Sequence, residues 1–180
     1  MTAPLPSAHA APAELPPQIG KYRVLARLGE GATSEVFLVR DEFRGCNLAV
    51  KRVRLGLLPE SRESHFQRRF FAAEAALVGR LNHPNVVQIL DAVAEDAAPY
   101  LVMEYVEGVT LRRFCRADAL LPLDQIVEIG FKCAMALAYV YRQGVIHRDV
   151  KPANLLAVLD GDQVVDVKIT DFGSAFNQTS

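Results

Sequence analysis

The chain has 180 residues, 51% of them hydrophobic and 23% charged, enough for one ordinary domain or for part of a larger one. A net charge of -1 gives no electrostatic basis for nucleic acid or an anionic membrane surface as the main partner. Cys46, Cys115 and Cys133 are far apart, without a CxxC pair, which supports neither a disulfide framework nor a zinc site and suits reduced thiols in a cytoplasmic protein.

Residues 1–20 are rich in Pro and Ala and read as a disordered tail, with order beginning near Tyr22. No basic segment followed by an apolar run marks a secretory signal. From Tyr22 to Val53 the pattern is strand, turn, strand, turn, strand: Tyr22–Leu28 partly alternates, Val36–Val39 is β-prone, and Leu48–Val50 continues the sheet. Phe66, Phe70, Ala73, Leu77 and Leu81 recur at spacings of three and four, predicting a helix that ends before Asn82-His83-Pro84. Arg62, Arg68 and Arg69 on that segment read as a solvated face. Two apolar strands follow, near 86–92 and 100–105.

After Gly108 the pattern turns helical, with Pro122 and Asp124 suited to a first turn and Gly144 to a C-terminal cap. Apolar residues cover most of that helix, which predicts burial on several sides. It is interrupted by Glu128 and Lys132 and is too short for a membrane span. Leu155–Leu159 and Val164–Ile169 flank Asp160-Gly161-Asp162, a hairpin signal. An antiparallel sheet with one helix, followed by a mainly helical part, defines an α+β class.

Four motifs carry chemistry. Gly29-Glu30-Gly31-Ala32-Thr33-Ser34 is a glycine-rich turn through which backbone N–H groups can approach phosphate oxygens. An ordinary hairpin turn is the commoner use of such a segment, and a dinucleotide fold is excluded because a strand follows rather than a helix. Lys51 ends a strand and shares a face with Ala49; solvated there it does nothing, but buried it needs partners such as phosphate and the helix carboxylate Glu74. His147-Arg148-Asp149-Val150-Lys151-Pro152-Ala153-Asn154 packs a proton acceptor, a phosphate neutraliser and a metal ligand into one loop. Asp171-Phe172-Gly173, unremarkable alone, supplies a carboxylate of the kind Mg²⁺ prefers.

In this order the four motifs and Glu74 resemble the protein kinase family, in particular its Ser/Thr branch, over residues 21–180. The resemblance implies that Gly29, Gly31 and Ser34 cover the phosphates of ATP while Lys51 holds them and pairs with Glu74. It implies that Asp149 orients and deprotonates the substrate hydroxyl, Lys151 neutralises the transferred group, and Asn154 and Asp171 bind Mg²⁺. Met103 would be the gatekeeper, Glu104 and Val106 would hydrogen-bond adenine through their backbones, and Leu28, Val36, Ala49 and Leu156 would sandwich its ring. Val78, Ile89, His147 and Phe172 match the family's stacked apolar spine, and Arg148 its activation-loop arginine. Ser34 replaces a third glycine, and Ala153 stands where kinases preferring basic substrates carry Glu.

The resemblance thus implies a bilobal fold, with an N-terminal lobe and hinge over 21–106 and a partial helical lobe over 107–180. Truncation shortly after Asp-Phe-Gly is expected, with ATP and a protein Ser/Thr hydroxyl as partners, no nucleic acid and no membrane segment within these residues. Two rival readings stand beside it: a non-catalytic nucleotide-binding regulatory module, and a small-molecule phosphotransferase of related fold. Lys51, Glu74, Lys151 and Asp-Phe-Gly in combination weigh against the second.

Overall fold

The computed structural model describes residues 15–31, 33–54, 62–94 and 98–177. Strands β1 (Gln18–Ile19), β2 (Tyr22–Glu30), β3 (Ser34–Asp41) and β4 (Cys46–Val53) lead into helix α1 (Arg62–Ala75). Strands β5 (Ile89–Val93) and β6 (Tyr100–Glu104) complete a six-stranded sheet in the order β1-β2-β3-β4-β6-β5. Every pairing in it is antiparallel. Regular structure begins ahead of Tyr22, because Gln18 and Ile19 pair with Arg23 and Tyr22 and Ile19 is buried.

Strict alternation shapes β3: Glu35, Phe37, Val39 and Asp41 are buried on one face, with intermediate residues between them. In β4, Leu48, Ala49 and Val50 are buried in succession, as a central strand covered on both faces requires. Phe37, Val39, Leu48 and Val50 join Ile19, Tyr22, Tyr100 and Val102 in a cluster on the outer face of the sheet. Ala49 turns the other way, into the larger core shared with the helical part.

Helix α1 departs from the expected stripe in two ways. It ends at Ala75, after which the amides of Leu77, Val78 and Arg80 bond carbonyls three residues back. Gly79, at φ +68°, then reverses the chain. Leu77 and Leu81 are still buried, so the apolar spacing predicts burial correctly while the backbone has left the α-helix. The inward face is also rotated: Phe66 is 58% exposed, whereas Gln67 and Glu74 are 3% and 2% exposed.

The second part contains β7 (Val109–Thr110), α2 (Leu123–Arg142), β8 (Val145–Ile146), β9 (Leu155–Asp160), β10 (Gln163–Ile169) and β11 (Phe176–Asn177). Strands β10, β9 and β7 form one small sheet and β11 and β8 another. The β9–β10 turn is the expected hairpin, with Gly161 at φ +58°. Helix α2 buries Cys133, Ala136 and Val140, but Val127, Phe131 and Tyr141 are exposed, so its burial is one-sided rather than general. Among the described residues, no helix is long and apolar enough to cross a membrane.

The two parts are stitched behind the cleft between them. Val86 bridges Ile169, the Val87 amide donates to the Ile169 carbonyl, and the Ile169 amide donates to that of Asn85. Asn85 Nδ2 also donates to Asp166 Oδ1 and the Val167 carbonyl, both at 2.8 Å. These bonds hold β10, and hence the Asp171 that follows it, at a fixed depth beneath the sheet.

Candidate functional site

The cleft has a volume of about 520 Å³ and is roofed by Leu28, Gly29, Ser34, Val36 and Ala49. Met103, Glu104 and Val106 form its connecting wall, and Leu156, Asn154 and Asp171 its floor. Apolar residues dominate one end and ionisable ones the other, which suits a flat heterocycle joined to an anion. Sequence reasoning missed Val87, Val109 and Thr170, which also line it, as does Tyr105 within the hinge segment. Gly31 is not among the lining residues; its amide donates to the Ser34 carbonyl at 2.8 Å and closes the turn.

The glycines are informative because the fold does not need them. A Cβ on Gly29 would meet nothing within 4 Å, and one on Gly31 would come no closer than 3.6 Å, to the Ser34 carbonyl. Neither position has the positive φ that glycine alone adopts with ease. Packing therefore does not account for a glycine at either position.

At the polar end Lys51 is the centre. Alternation in β4 points it to the cleft side with Ala49, and its Nζ donates to Glu74 Oε1 at 3.0 Å, Glu74 Oε2 at 2.8 Å and Asp171 Oδ1 at 2.7 Å. Three elements distant in sequence therefore meet on one ammonium group. Burial disfavours the charge on Lys51, but the two carboxylates outweigh it and hold its pKa above the ordinary lysine value. Burial pushes the Glu74 carboxyl up, which Lys51 offsets only in part. For Asp171 burial acts in the same sense, yet the adjacent Lys51 prevails and holds the carboxyl below the usual range.

The catalytic-loop candidates form a second group. Asp149 Oδ2 accepts from Lys151 Nζ at 2.7 Å and from Asn154 Nδ2 at 2.9 Å. Asn154 Nδ2 also donates to the Asp149 carbonyl, which commits the amide nitrogen and leaves its oxygen to act as an acceptor. His147 braces the loop: its Nδ1 accepts from the Asp149 amide and its Nε2 lies 3.0 Å from the Thr170 carbonyl. Its ring packs on Phe172 with centroids 4.6 Å apart. Both Arg148 and Asp171 sit at φ +66°, a left-handed conformation uncommon outside glycine and concentrated at functional sites. Arg148 lies over the Phe176 ring at 4.2 Å.

Oxygen donors from Asp171 and Asn154 suit Mg²⁺, which keeps waters and phosphate oxygens in its remaining positions. The charge balance points the same way. Glu74, Asp149 and Asp171 face Lys51 and Lys151, three carboxylates against two ammonium groups. A polyphosphate enters such a site more easily with a divalent cation than without one.

Residues 22–180 match the protein kinase domain family, and the chain belongs to that family. It is 40% identical over 165 residues to serine/threonine-protein kinase PknB of Mycobacterium leprae, covering 89% of this chain and 25% of the relative. It is 35% identical over 156 residues to serine/threonine-protein kinase PrkC of Bacillus subtilis, covering 87% and 23%. A probable serine/threonine-protein kinase of Clostridium perfringens is 38% identical over 160 residues, covering 89% and 22%. The chain thus spans about a quarter of the length of these curated relatives.

Proposed function

We propose that this chain carries the nucleotide-binding and catalytic-loop machinery of a Ser/Thr protein kinase, which transfers the γ-phosphoryl group of ATP to protein Ser or Thr hydroxyls. The observation that supports it most is the meeting of Lys51 with both Glu74 and Asp171 at the polar end of an otherwise apolar cleft. Residues 21–106 act as the N-terminal lobe and hinge, and the catalytic loop and Asp-Phe-Gly belong to the helical part after them. The chemistry belongs in the cytoplasm, where MgATP is found.

Each residue has a role its surroundings permit. Leu28, Val36 and Ala49 above and Leu156 below hold the adenine ring, and Glu104 and Val106 meet its edge through the backbone. Gly29, Gly31 and Ser34 let the turn approach the phosphates. Lys51 binds them while Glu74 keeps its ammonium in place. Mg²⁺, held by Asn154 and Asp171, would screen the phosphate charge and fix the geometry of the transferred group. Asp149 orients the substrate hydroxyl and takes its proton. Lys151, already 2.7 Å from Asp149, neutralises charge on the transferred group.

Transfer from ATP to a generic protein substrate, compared between the intact protein and its Asp149→Asn variant, tests this reading. The variant is expected to lose about 10²-fold or more in rate while still binding MgATP. MgATP binding with no transfer by the intact parent would instead favour a non-catalytic nucleotide-binding module.

A further inference from the structure

The glycine-rich turn joins β2 to β3, and its two flanking carboxylates, Glu30 and Glu35, stand directly opposite each other in the strand register. Like charges in that position push a hairpin apart. Ser34 and Val36 line the cleft, so alternation sends Glu35 to the opposite, outer face of the sheet, where it is only 5% exposed. A carboxylate so deeply buried needs partners.

Arginines from two neighbouring strands supply them. Arg54, just past the end of β4, reaches back so that its Nη2 lies 2.5 Å from Glu30 Oε1 and 3.0 Å from Glu35 Oε1. Its backbone amide donates to the Thr33 carbonyl, inside the turn itself, at 2.9 Å. Arg27 on β2 reaches the same two glutamates, Glu30 at 2.8 Å and Glu35 at 3.4 Å, and Arg52 bonds Glu35 at 2.8 Å. The guanidinium groups of Arg27 and Arg52 also lie over the Phe37 ring, at 5.8 and 5.1 Å from its centroid. Hydrogen bonding from Arg54, ahead of that from Arg52, holds the Glu35 carboxyl down to about 2 despite its burial.

We propose that Arg54 is a positioning residue for the phosphate-binding turn: by bridging Glu30 and Glu35 behind the turn and holding the Thr33 carbonyl, it presets the backbone that receives the phosphates. The bridge neutralises the repulsion that would open the mouth of the hairpin. It also keeps both carboxylates directed away from the side where an anion enters. Arg54 does not line the cleft; it acts through the geometry of Ser34 and the two glycines. The proposal rests on the nucleotide reading above.

Titrations of MgATP and of adenosine into the parent chain, Arg54→Met and Arg54→Lys test it. Arg54 has a side chain 40% exposed, so its truncation leaves the core in place. Arg54→Met is expected to weaken MgATP binding about 5- to 10-fold and adenosine binding less than about 2-fold, because a preset turn serves only the phosphates. Arg54→Lys keeps the charge on a shorter side chain whose single ammonium could still bridge both carboxylates, as the one Nη2 does, and should fall between the two. Equal losses for both ligands would reduce Arg54 to a general stabiliser and overturn the proposal. So would an unchanged MgATP affinity in Arg54→Met. A parent that binds adenosine but not MgATP would remove the phosphate-site reading, and this proposal with it.

Discussion

Gly173 lies directly against Phe70: a Cβ built on Gly173 would fall 2.9 Å from Phe70 Cδ1 and 3.6 Å from Phe70 Cβ. The last residue of Asp-Phe-Gly is therefore a seat for α1, the helix that carries Glu74 to Lys51. A side chain there has to displace the ring or the helix, and either shift loosens the contact between Lys51 and Glu74.

Gly173→Ala is expected to cost about 1–3 kcal/mol of stability, as overpacking of a close contact does. Phe70→Ala introduced with it should recover part of that loss, because the ring that clashes is gone. Urea denaturation of the two single variants and the double variant measures the coupling. Strictly additive losses would show that the two residues do not share the contact.

The glycine turn should respond in the opposite manner. Because a Cβ on Gly29 or Gly31 would meet no atom closer than 3.6 Å, Gly29→Ala and Gly31→Ala should leave stability within about 0.5 kcal/mol of the parent. MgATP affinity should nevertheless fall, by about tenfold in the double variant, since the added methyl groups occupy the approach to the phosphates. Thermal unfolding together with a nucleotide titration separates the two effects. A large drop in stability with unaltered affinity would return both residues to an ordinary hairpin role.

Much of this site was legible in the sequence because its motifs are local. The loop from His147 to Asn154 puts Asp149, Lys151 and Asn154 within eight consecutive residues, and the structure adds that Lys151 and Asn154 both hold Asp149 Oδ2 and that His147 braces the loop. The pairing of Glu74 with Lys51 was legible from the motif resemblance, but the rotation of α1 was not legible from its apolar spacing. Its apolar spacing favours Phe66 and Phe70, yet Glu74 is drawn inward by Lys51, a partner 23 positions earlier that periodicity cannot register. Nor could spacing show that α2 buries Cys133, Ala136 and Val140 while leaving Phe131 in solvent, since apolar residues cover most of that helix. The arginines around Glu35 were missed because their pattern exists only across three paired strands.

Glu35 also gives the fold a definite response to acid. Its folded-state pKa, about 2, lies below the ordinary carboxylate value of 4.5, so its stabilisation is complete above 4.5 and is lost as pH falls toward 2. The shift corresponds to at most about 3–4 kcal/mol. Asp171, also held low, acts in the same direction, whereas Glu74, pushed up by burial, acts in the opposite one. Comparison with Glu35→Gln isolates the contribution of Glu35. The stability gap between parent and variant should be largest near pH 7 and shrink below pH 4.5. A gap independent of pH would mean that the ionised carboxylate is not what the arginines stabilise.

The central claim is that Lys51 and Asp171 together form the phosphate and metal end of a nucleotide site, and an equilibrium titration of ATP with and without Mg²⁺ tests it most directly. The parent chain should bind ATP with Mg²⁺ and far more weakly without it. Lys51→Met and Asp171→Asn should each weaken MgATP binding by about tenfold or more, the loss of one charge-assisted contact in a partly buried site. Adenosine, which has no phosphates, should bind all three proteins alike. MgATP affinity unchanged in both variants would contradict the assignment.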